Sequence, residues 1–455
     1  MSLKRILVAN RGEIALRVIR AAREIGLETV LAVSSADSES QAAKEADRTV
    51  VIGPAPARSS YLNEKLIVHL ALSSGCDGLH PGYGFLSERA SFAELCENNG
   101  ITFIGPKADT IRLVGDKLGA RELANSSGVP MVPGSKKINS TDEAIQVANE
   151  IGYPVITKAS AGGGGRGMVV ANNQKELEES FDKASHEARE AFGDGTLYLE
   201  KYIKKARHVE VQVLGDGEGN IICFGERDCS LQRRYQKMVE EAPATVLSTE
   251  NRKKLHSAAV ELLSPINYRN AGTVEFLYDE DTEQFYFIEV NARIQVEHPV
   301  SEKICNVNLV RAQLDLASGQ TNKIKQDEIR PTGHAIEVRI IAENPLNNFM
   351  PSPGRITEWE APVGENVRVD TAVSEGVLVT PYYDSMIAKL IVYGCARQEA
   401  VSLLSQSLEN FHVGGIHTNI ALLRSMIAHE DFQNNKIDTR WAERVFLPAY
   451  LSKGV

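Results

Sequence analysis

Acidic, amide and guanidinium side chains alternate along one short run of this chain. Glu289, Asn291, Arg293, Gln295 and Glu297 are interleaved with Val290, Ala292, Ile294 and Val296. If the run is extended, its period of two puts the polar groups on one face and the apolar ones on the other. An ordinary half-exposed strand alternates in the same way. This polar face, however, lacks Lys, Ser and Thr and reads acid, amide, guanidinium, amide, acid. Such an order can bind a metal at one end and an oxyanion in the middle, and can offer a base at the other end.

The run continues a hairpin. Thr273–Tyr278 and Gln284–Val290 are β-rich segments joined by the polar turn Asp279–Glu283. Antiparallel pairing sets Glu275 roughly across from Glu289, on one face. Facing carboxylates repel unless a cation lies between them. Oxygen ligands without cysteine or histidine suit magnesium or manganese. Two solvated acids on an exposed hairpin are the plainer alternative.

A third candidate is Lys158-Ala-Ser-Ala-Gly-Gly-Gly-Gly-Arg-Gly-Met168, in which five of the seven residues 162–168 are glycine. Glycines let backbone N–H groups turn toward phosphate oxygens, and Lys158 would add a point charge. A flexible hinge has the same composition. Strand-like segments on both sides favour a flap at a hairpin tip. There is no G-x-x-x-x-G-K-[ST], so this is not a P-loop. Finally, His334–Ile341 alternates so that Glu337 and Arg339 share one face, opposite Ile336, Val338 and Ile340. A surface ion pair is the default for Arg339 taken alone.

These residues need elements to hold them. Arg5–Ala9, Glu13–Ile25 and Glu28–Val33 read as strand, helix and strand, so the chain should open with a parallel sheet. The first turn lacks G-x-G-x-x-G, which disfavours a dinucleotide site there. Gly78–Leu86, dense in glycine around His80 and Tyr83, reads as an irregular loop, either a tight turn or a ligand contact. Gly128–Gly134 reads as the end of a linker. Beyond it lie strands at Pro154–Ala159, Gly167–Ala171 and Thr196–Lys201, with a helix near Gln174–Phe192. Strands then dominate to Val290, helix returns at Ser301–Ser318, and the rest is mixed. The expected units are an N-terminal domain over 1–114, a linker over 115–134, a lid over 135–203, a central body with the metal site over 204–330 and a C-terminal domain over 331–455.

At 455 residues the chain is too long for one ordinary core. With 43% hydrophobic and 24% charged residues it is globular, and a net charge of −10 argues against nucleic-acid binding. Six scattered cysteines without a C-x-x-C pair favour a reducing cytoplasm over a disulfide or zinc framework. The first apolar run ends at Arg11, too soon for a signal peptide or a membrane span.

Several stretches together resemble biotin carboxylase, a member of the ATP-grasp superfamily: Val8–Ala15, His80–Ser87, Gly162–Met168, Glu226–Ser230, Glu240–Ala244, Arg293–Pro299 and Pro381–Met386. The resemblance runs from near the N-terminus to about residue 440. It implies an α/β ATP-grasp fold with an N-terminal β-α-β domain, an α+β lid, and central and C-terminal parts that complete the site. By resemblance, Lys117 and Lys158 would hold the phosphates of ATP, covered by Gly163, Gly164, Gly165, Arg166, Gly167 and Met168. Glu200, Lys201 and Ile203 would form the adenine edge, and His208 and Gln232 would contact the ribose and its surroundings. Glu275, Glu289 and Asn291 would bind Mg2+ or Mn2+. Lys237, Arg293, Gln295 and the Val296 backbone would grip bicarbonate, with Glu297 as general base. Arg339 would stabilise the enolate of biotin, and Tyr83 would lie beside that biotin.

The resemblance also implies the reaction: carboxyphosphate forms, releases carbon dioxide, and carboxylates biotin on a carrier. No Ala-Met-Lys-Met attachment motif occurs. The expected partners are therefore a biotin carboxyl carrier protein and a carboxyltransferase on separate chains, feeding an acyl-CoA carboxylase such as that of fatty acid biosynthesis, with a homodimer as the expected assembly. Three positions depart from the family pattern. Tyr235 stands where histidine is usual, Ala161 replaces a glycine of the loop, and Ser264-Pro-Ile-Asn267 interrupts a helix. Two other readings compete: an ATP-grasp ligase with an acyl-phosphate intermediate and a non-biotin acceptor, and an ATP-binding pseudo-enzyme. Retention of Lys237, Glu297 and Arg339 opposes the latter.

Overall fold

Ile14, Val18, Ala21 and Ala22 recur at helical spacing, and they are the residues by which the first helix, Gly12–Glu24, packs on a sheet. Gly26, at φ +75°, ends it. The flanking strands Arg5–Val8 and Glu28–Val33 pair in parallel. They belong to a five-stranded sheet in the order Arg48–Val51, Glu28–Val33, Arg5–Val8, Gly78–His80, Thr102–Phe103, parallel throughout. The computed structural model describes residues 3–159, 168–320 and 324–452.

The larger sheet has eight strands, antiparallel throughout. Their order is Gln284–Asn291, Arg269–Asp279, Ala206–Asp216, Ile221–Arg233, Gln236–Ala242, His334–Ile341, Met386–Gly394 and Val367–Thr371. One continuous sheet thus joins the middle of the chain to its C-terminal part. A separate three-stranded sheet, Val169–Ala171, Val155–Ala159 and Leu197–Lys201, packs against helices Thr141–Ile151 and Gln174–Phe192 around its own small core of Val155, Leu177, Phe181, Leu197 and Leu199. Each of these helices is capped locally, Ser140 accepting from Glu143 N–H and Asn173 from Glu176 N–H. Val155–Ala159 and Val169–Ala171 pair antiparallel, so the glycine-rich segment does join two hairpin strands. Ala161 and the residues Gly163, Gly164, Gly165, Arg166 and Gly167 lie outside the described residues.

Four local expectations are corrected. The alternating run 289–297 is not one strand. The strand ends at Asn291, and an irregular turn leads into helix His298–Cys305, which Pro299 enters in its first turn. Ser301–Ser318 is not one helix either. His298–Cys305 and Leu309–Ala317 are separated by Asn306, at φ +52°, and Asn308 caps the second. Gly78–Leu86 is not loop throughout, since Gly78–His80 is a strand of the parallel sheet, whereas helix Thr249–Leu263 does stop at Ser264, because Pro265 cannot continue it. Helix Lys117–Ser126, capped by Asp116, lies within the stretch read as a linker. Among the described residues no helix is long and apolar enough to cross a membrane.

Candidate active site

A row of charged residues crosses four neighbouring strands of the large sheet. Glu289 pairs with Glu275, Glu275 with Glu210, and Glu210 with Arg227. Cross-strand neighbours share a face, and like charges set side by side there repel. Two buried cations offset the repulsion. Lys237 Nζ donates to Glu210 Oε2 at 2.5 Å, Glu297 Oε1 at 2.6 Å and Glu275 Oε1 at 3.0 Å. Arg227, fully buried, donates from Nε to Glu210 at 2.6 Å, from Nη1 to Gln212 at 2.7 Å and Ser301 at 2.9 Å, and from Nη2 to Gln295 at 2.8 Å and Thr273 at 3.2 Å. Burial opposes the charge on Lys237, but the three carboxylates outweigh it and hold the ammonium well above its usual range.

The turn after Asn291 completes this cluster. Gln295 and Glu297 are both buried, so the alternation of the sequence marks no exposed face here. Gln295 Nε2 donates to Glu275 at 2.9 Å, and so does Asn291 Nδ2. Glu297 Oε2 accepts from Arg339 Nη2 at 3.1 Å, and Arg339 Nε donates to Glu240 at 2.6 Å. Arg339 is therefore no surface partner. Its strand stands beside that of Glu240, with Glu240 and Glu337 directly paired in register. Burial would raise the Glu297 carboxyl, but Lys237, Arg339 and Arg227 hold it well below its usual range. Glu240 goes the other way, to about 7, because burial and the charge of Glu297 exceed the help from Arg339. Arg293 is more open. Its Nε donates to Glu88 at 2.8 Å and its Nη2 to Asn291 Oδ1 at 3.0 Å, while the Val296 carbonyl accepts from Lys389 Nζ at 2.9 Å.

Two places could tempt a metal. His208, Glu210 and Glu275 bring ligand atoms within 4.8 Å of one another, as do Glu210, Cys229 and Glu297. The Lys237 ammonium already lies against the oxygens of both groups, so neither has room for a second cation. The open end of the row is different. Glu289 is exposed to solvent on its strand but faces Glu275 in register, and desolvation on that side together with the Glu275 charge pushes its carboxyl up. A divalent cation would relieve that repulsion, and Asn291 adds a neutral oxygen. The hard oxygen donors suit Mg2+ or Mn2+. On the inner side His208 Nε2 lies 2.9 Å from Glu275 Oε2. Burial disfavours its charge, yet Glu275 overrides this and raises the imidazole pKa.

The three-stranded sheet contributes a second charged group. Glu200, buried at 4% exposure, accepts from Lys158 Nζ at 2.5 Å and from Arg121 Nη1 at 2.8 Å. Lys201 Nζ donates to the Gly152 and Tyr153 carbonyls, and its N–H to the Pro133 carbonyl. Ile203 packs in a small apolar group with Val132 and Ala206. Gln232 is buried with Nε2 on the Cys229 carbonyl at 3.2 Å. Lys117 begins its helix, and Met168 is half-buried at the edge of the undescribed loop. Tyr83 donates to Glu13 within electrostatic reach of Arg339. Tyr235 is 60% exposed at the hairpin tip, with φ +64° after Arg234 at φ +48°, so the departure from histidine disturbs no buried contact.

The sequence had singled out Lys237, Glu275, Gln295, Glu297 and Arg339, and the fold brings them into one hydrogen-bonded group. It gives no individual role to Glu210, Arg227, Glu240, Glu88, Lys389, Glu13 or Arg121. Some signals existed. Glu210 follows His208 at a spacing of two on one strand, Arg227 sits within Glu226–Ser230, and Glu88 follows His80–Ser87 directly. Nothing local marked Arg121 or Lys389.

A buried row of carboxylates and cations on a large antiparallel sheet, with a separate small three-stranded sheet, fits the ATP-grasp class. Residues 2–111 match the model for "Biotin carboxylase, N-terminal domain", 116–325 that for "Carbamoyl-phosphate synthase L chain, ATP binding domain", and 337–444 that for "Biotin carboxylase C-terminal domain". Biotin carboxylase 1 of Bacillus subtilis is 49% identical over 442 residues, covering 97% of this chain and 98% of that one. The solved biotin carboxylase domain dimer of Hydrogenobacter thermophilus 2-oxoglutarate carboxylase, in complex with MgADP, ADP and bicarbonate, is 48% identical with a TM-score of 0.90, over 97% of this chain and 98% of that one. The Campylobacter jejuni biotin carboxylase complex with a β,γ-ATP ligand gives 44% and 0.91, over 97% and 99%. The chain belongs to the biotin carboxylase family, ATP-dependent ligases of the ATP-grasp fold.

Proposed function

We propose that the buried cluster activates bicarbonate for attack on ATP and then carries the carboxyl group to biotin. The observation behind this reading is Glu297, held ionised between Lys237 at 2.6 Å and Arg339 at 3.1 Å. A carboxylate so stabilised is a poor base by itself. Bicarbonate entering beside Lys237, Arg293, Gln295 and the Val296 backbone would share those cations and add its own charge. Both effects raise the Glu297 pKa toward the value a general base needs. Glu297 then takes the bicarbonate proton as the oxygen attacks the γ-phosphorus and ADP leaves, giving carboxyphosphate. Glu275, Glu289 and Asn291 would hold Mg2+ or Mn2+, which when bound neutralises charge on the transferring phosphoryl group.

On the nucleotide side, Lys117 and Lys158 would hold phosphates, with the glycine-rich residues 163–168 as further phosphate contacts. Glu200, Lys201 and Ile203 edge the adenine, and His208 and Gln232 approach the ribose. Carboxyphosphate breaks to carbon dioxide and phosphate, and the phosphate removes the N1′ proton of biotin. Arg339 stabilises the enolate oxygen beside Tyr83, and the enolate takes up carbon dioxide. The guanidinium suits this task because it remains charged when buried: Glu240, Glu297 and Glu337 outweigh desolvation.

The biotin belongs to a carrier on a separate chain, and a carboxyltransferase receives the product. A homodimer is supported by the Hydrogenobacter dimer. We place the final acceptor among acyl-CoA thioesters, acetyl-CoA for fatty acid synthesis first, and the 2-oxoglutarate relative makes a 2-oxo acid the competing choice. The test mixes the full chain with MgATP, bicarbonate and free biotin, then follows phosphate release and carboxybiotin. Bicarbonate-dependent release with carboxybiotin formation is expected. Absence of both would sink the reading in favour of an acyl-phosphate ligase with another acceptor.

A further inference from the structure

The stretch Val8–Ala15 has no part in the chemistry above, yet three of its side chains reach toward the site. Asn10 Nδ2 donates to the Pro81 carbonyl at 2.7 Å and to the Tyr83 carbonyl at 2.8 Å. The fit is tight: a Cβ on Gly82, whose φ is +63°, would lie 2.7 Å from that nitrogen. Arg11 pairs with Asp37 at 2.8 Å and stacks 4.2 Å from the ring centroid of Tyr383, in the Pro381–Met386 stretch. Glu13 accepts from the Tyr83 hydroxyl and lies 3.2 Å from Lys389 Nζ.

Lys389 is fully buried, a rare position for a lysine. It stands directly across from Asp370 and beside Arg339 in the sheet. Its ammonium donates to the Val296 carbonyl at 2.9 Å, in the turn between Gln295 and Glu297. Asp370 Oδ2 lies 3.7 Å away. Burial of the ammonium is outweighed by Glu13, Glu337 and Asp370, so it stays charged. A surface role cannot explain a buried cation held between the Val296 carbonyl and Glu13.

We propose that Lys389 and Glu13 are positioning residues for the carboxylation. Lys389 fixes the Val296 peptide, and with it the turn that presents Gln295 and Glu297 to bicarbonate. Glu13 is its counter-ion and at the same time fixes the Tyr83 hydroxyl on the biotin side. One ion pair thus sets the bicarbonate turn and the biotin-facing tyrosine in a common register, anchored on the N-terminal domain. The inference rests on the biotin carboxylase reading.

The test uses steady-state kinetics of the full chain with MgATP, bicarbonate and free biotin, on Lys389→Met, Lys389→Arg and Glu13→Gln. Lys389→Met should raise KM for bicarbonate about tenfold, the loss expected for one charge-assisted hydrogen bond, and leave KM for ATP within about twofold. Lys389→Arg should restore most of the loss. Glu13→Gln, which keeps the shape and removes the charge, should raise KM for biotin and lower carboxybiotin formed per ATP hydrolysed. If Lys389→Met does not fold, Lys389→Arg and Glu13→Gln decide by the same split. Unchanged Michaelis constants, or a fall in kcat alone with all of them equal to wild type, would overturn the proposal. An inactive wild-type chain would instead refute the biotin carboxylase reading.

Discussion

Replacing Arg339 by alanine separates the two half-reactions. The guanidinium makes two charge-assisted hydrogen bonds, to Glu240 at 2.6 Å and to Glu297 at 3.1 Å. Its loss leaves Glu297 with Lys237 at 2.6 Å, so the proposed base keeps its closer cation. The bicarbonate-dependent ATPase should therefore fall by about tenfold, the equivalent of one bond of roughly 1.5 kcal/mol. Biotin carboxylation loses the proposed donor to the enolate, which for an oxyanion donor costs about 10²–10³-fold. The fold should survive at neutral pH. Glu240 already titrates near 7 with Arg339 in place, so without it the carboxyl takes up a proton instead of standing buried and charged. The assay measures phosphate release and carboxybiotin in the same reaction, with thermal unfolding as the control. Equal loss of both activities in a folded variant would refute the division of labour between Glu297 and Arg339.

Other outcomes follow from the same geometry. Glu275→Gln and Glu289→Gln should each raise the Mg2+ concentration for half-maximal ATPase by about tenfold or more; an unaltered metal titration would remove these residues from the metal site. Arg227→Met strips a fully buried cation from Glu210 and from four further side-chain acceptors, and should destabilise the fold by about 3–5 kcal/mol. An unfolding midpoint equal to wild type would show that the network does not need its arginine. Glu241 is buried against Arg397 at 2.7 and 2.8 Å and His334 at 2.8 Å, which overcome burial and hold its carboxyl at about 2, below an ordinary 4.5. A lowered folded-state pKa adds stability above about 4.5 that is lost as pH falls toward 2; the difference is worth about 3 kcal/mol. Glu241→Gln should thus flatten the acid limb of the stability curve between those values, and an acid limb identical to wild type would contradict the assignment.

Local chemistry made much of this protein legible. The apolar spacing of Glu13–Ile25 and the polar turn Asp279–Glu283 are short-range signals, and they predicted the opening helix and the hairpin that sets Glu275 across from Glu289. The types of Glu275, Glu289, Arg293 and Glu297 pointed to oxygen-ligated metal, oxyanion and base, while Arg339 taken alone read as a surface ion pair. What the pattern could not convey was burial. Glu289–Glu297 reads as a strand with one wet face, but Pro299 starts a helix there, the strand stops at Asn291, and Gln295 and Glu297 fold inward.

Burial also depends on partners far along the chain. Arg227 joins residues from 210 to 301, Lys389 reaches Glu13 and Val296, and Arg121 meets Glu200. Such pairs leave no trace in spacing, because a lysine or arginine looks the same whether it ends in water or against a carboxylate. The residue types by themselves suggested a metal, an oxyanion and a base, and the resemblance to biotin carboxylase supplied the reaction. Tertiary structure decided which carboxylates lose their water, which cations compensate them, and so which groups stay charged. Desolvation is a property of the packed whole, and no window of sequence contains it.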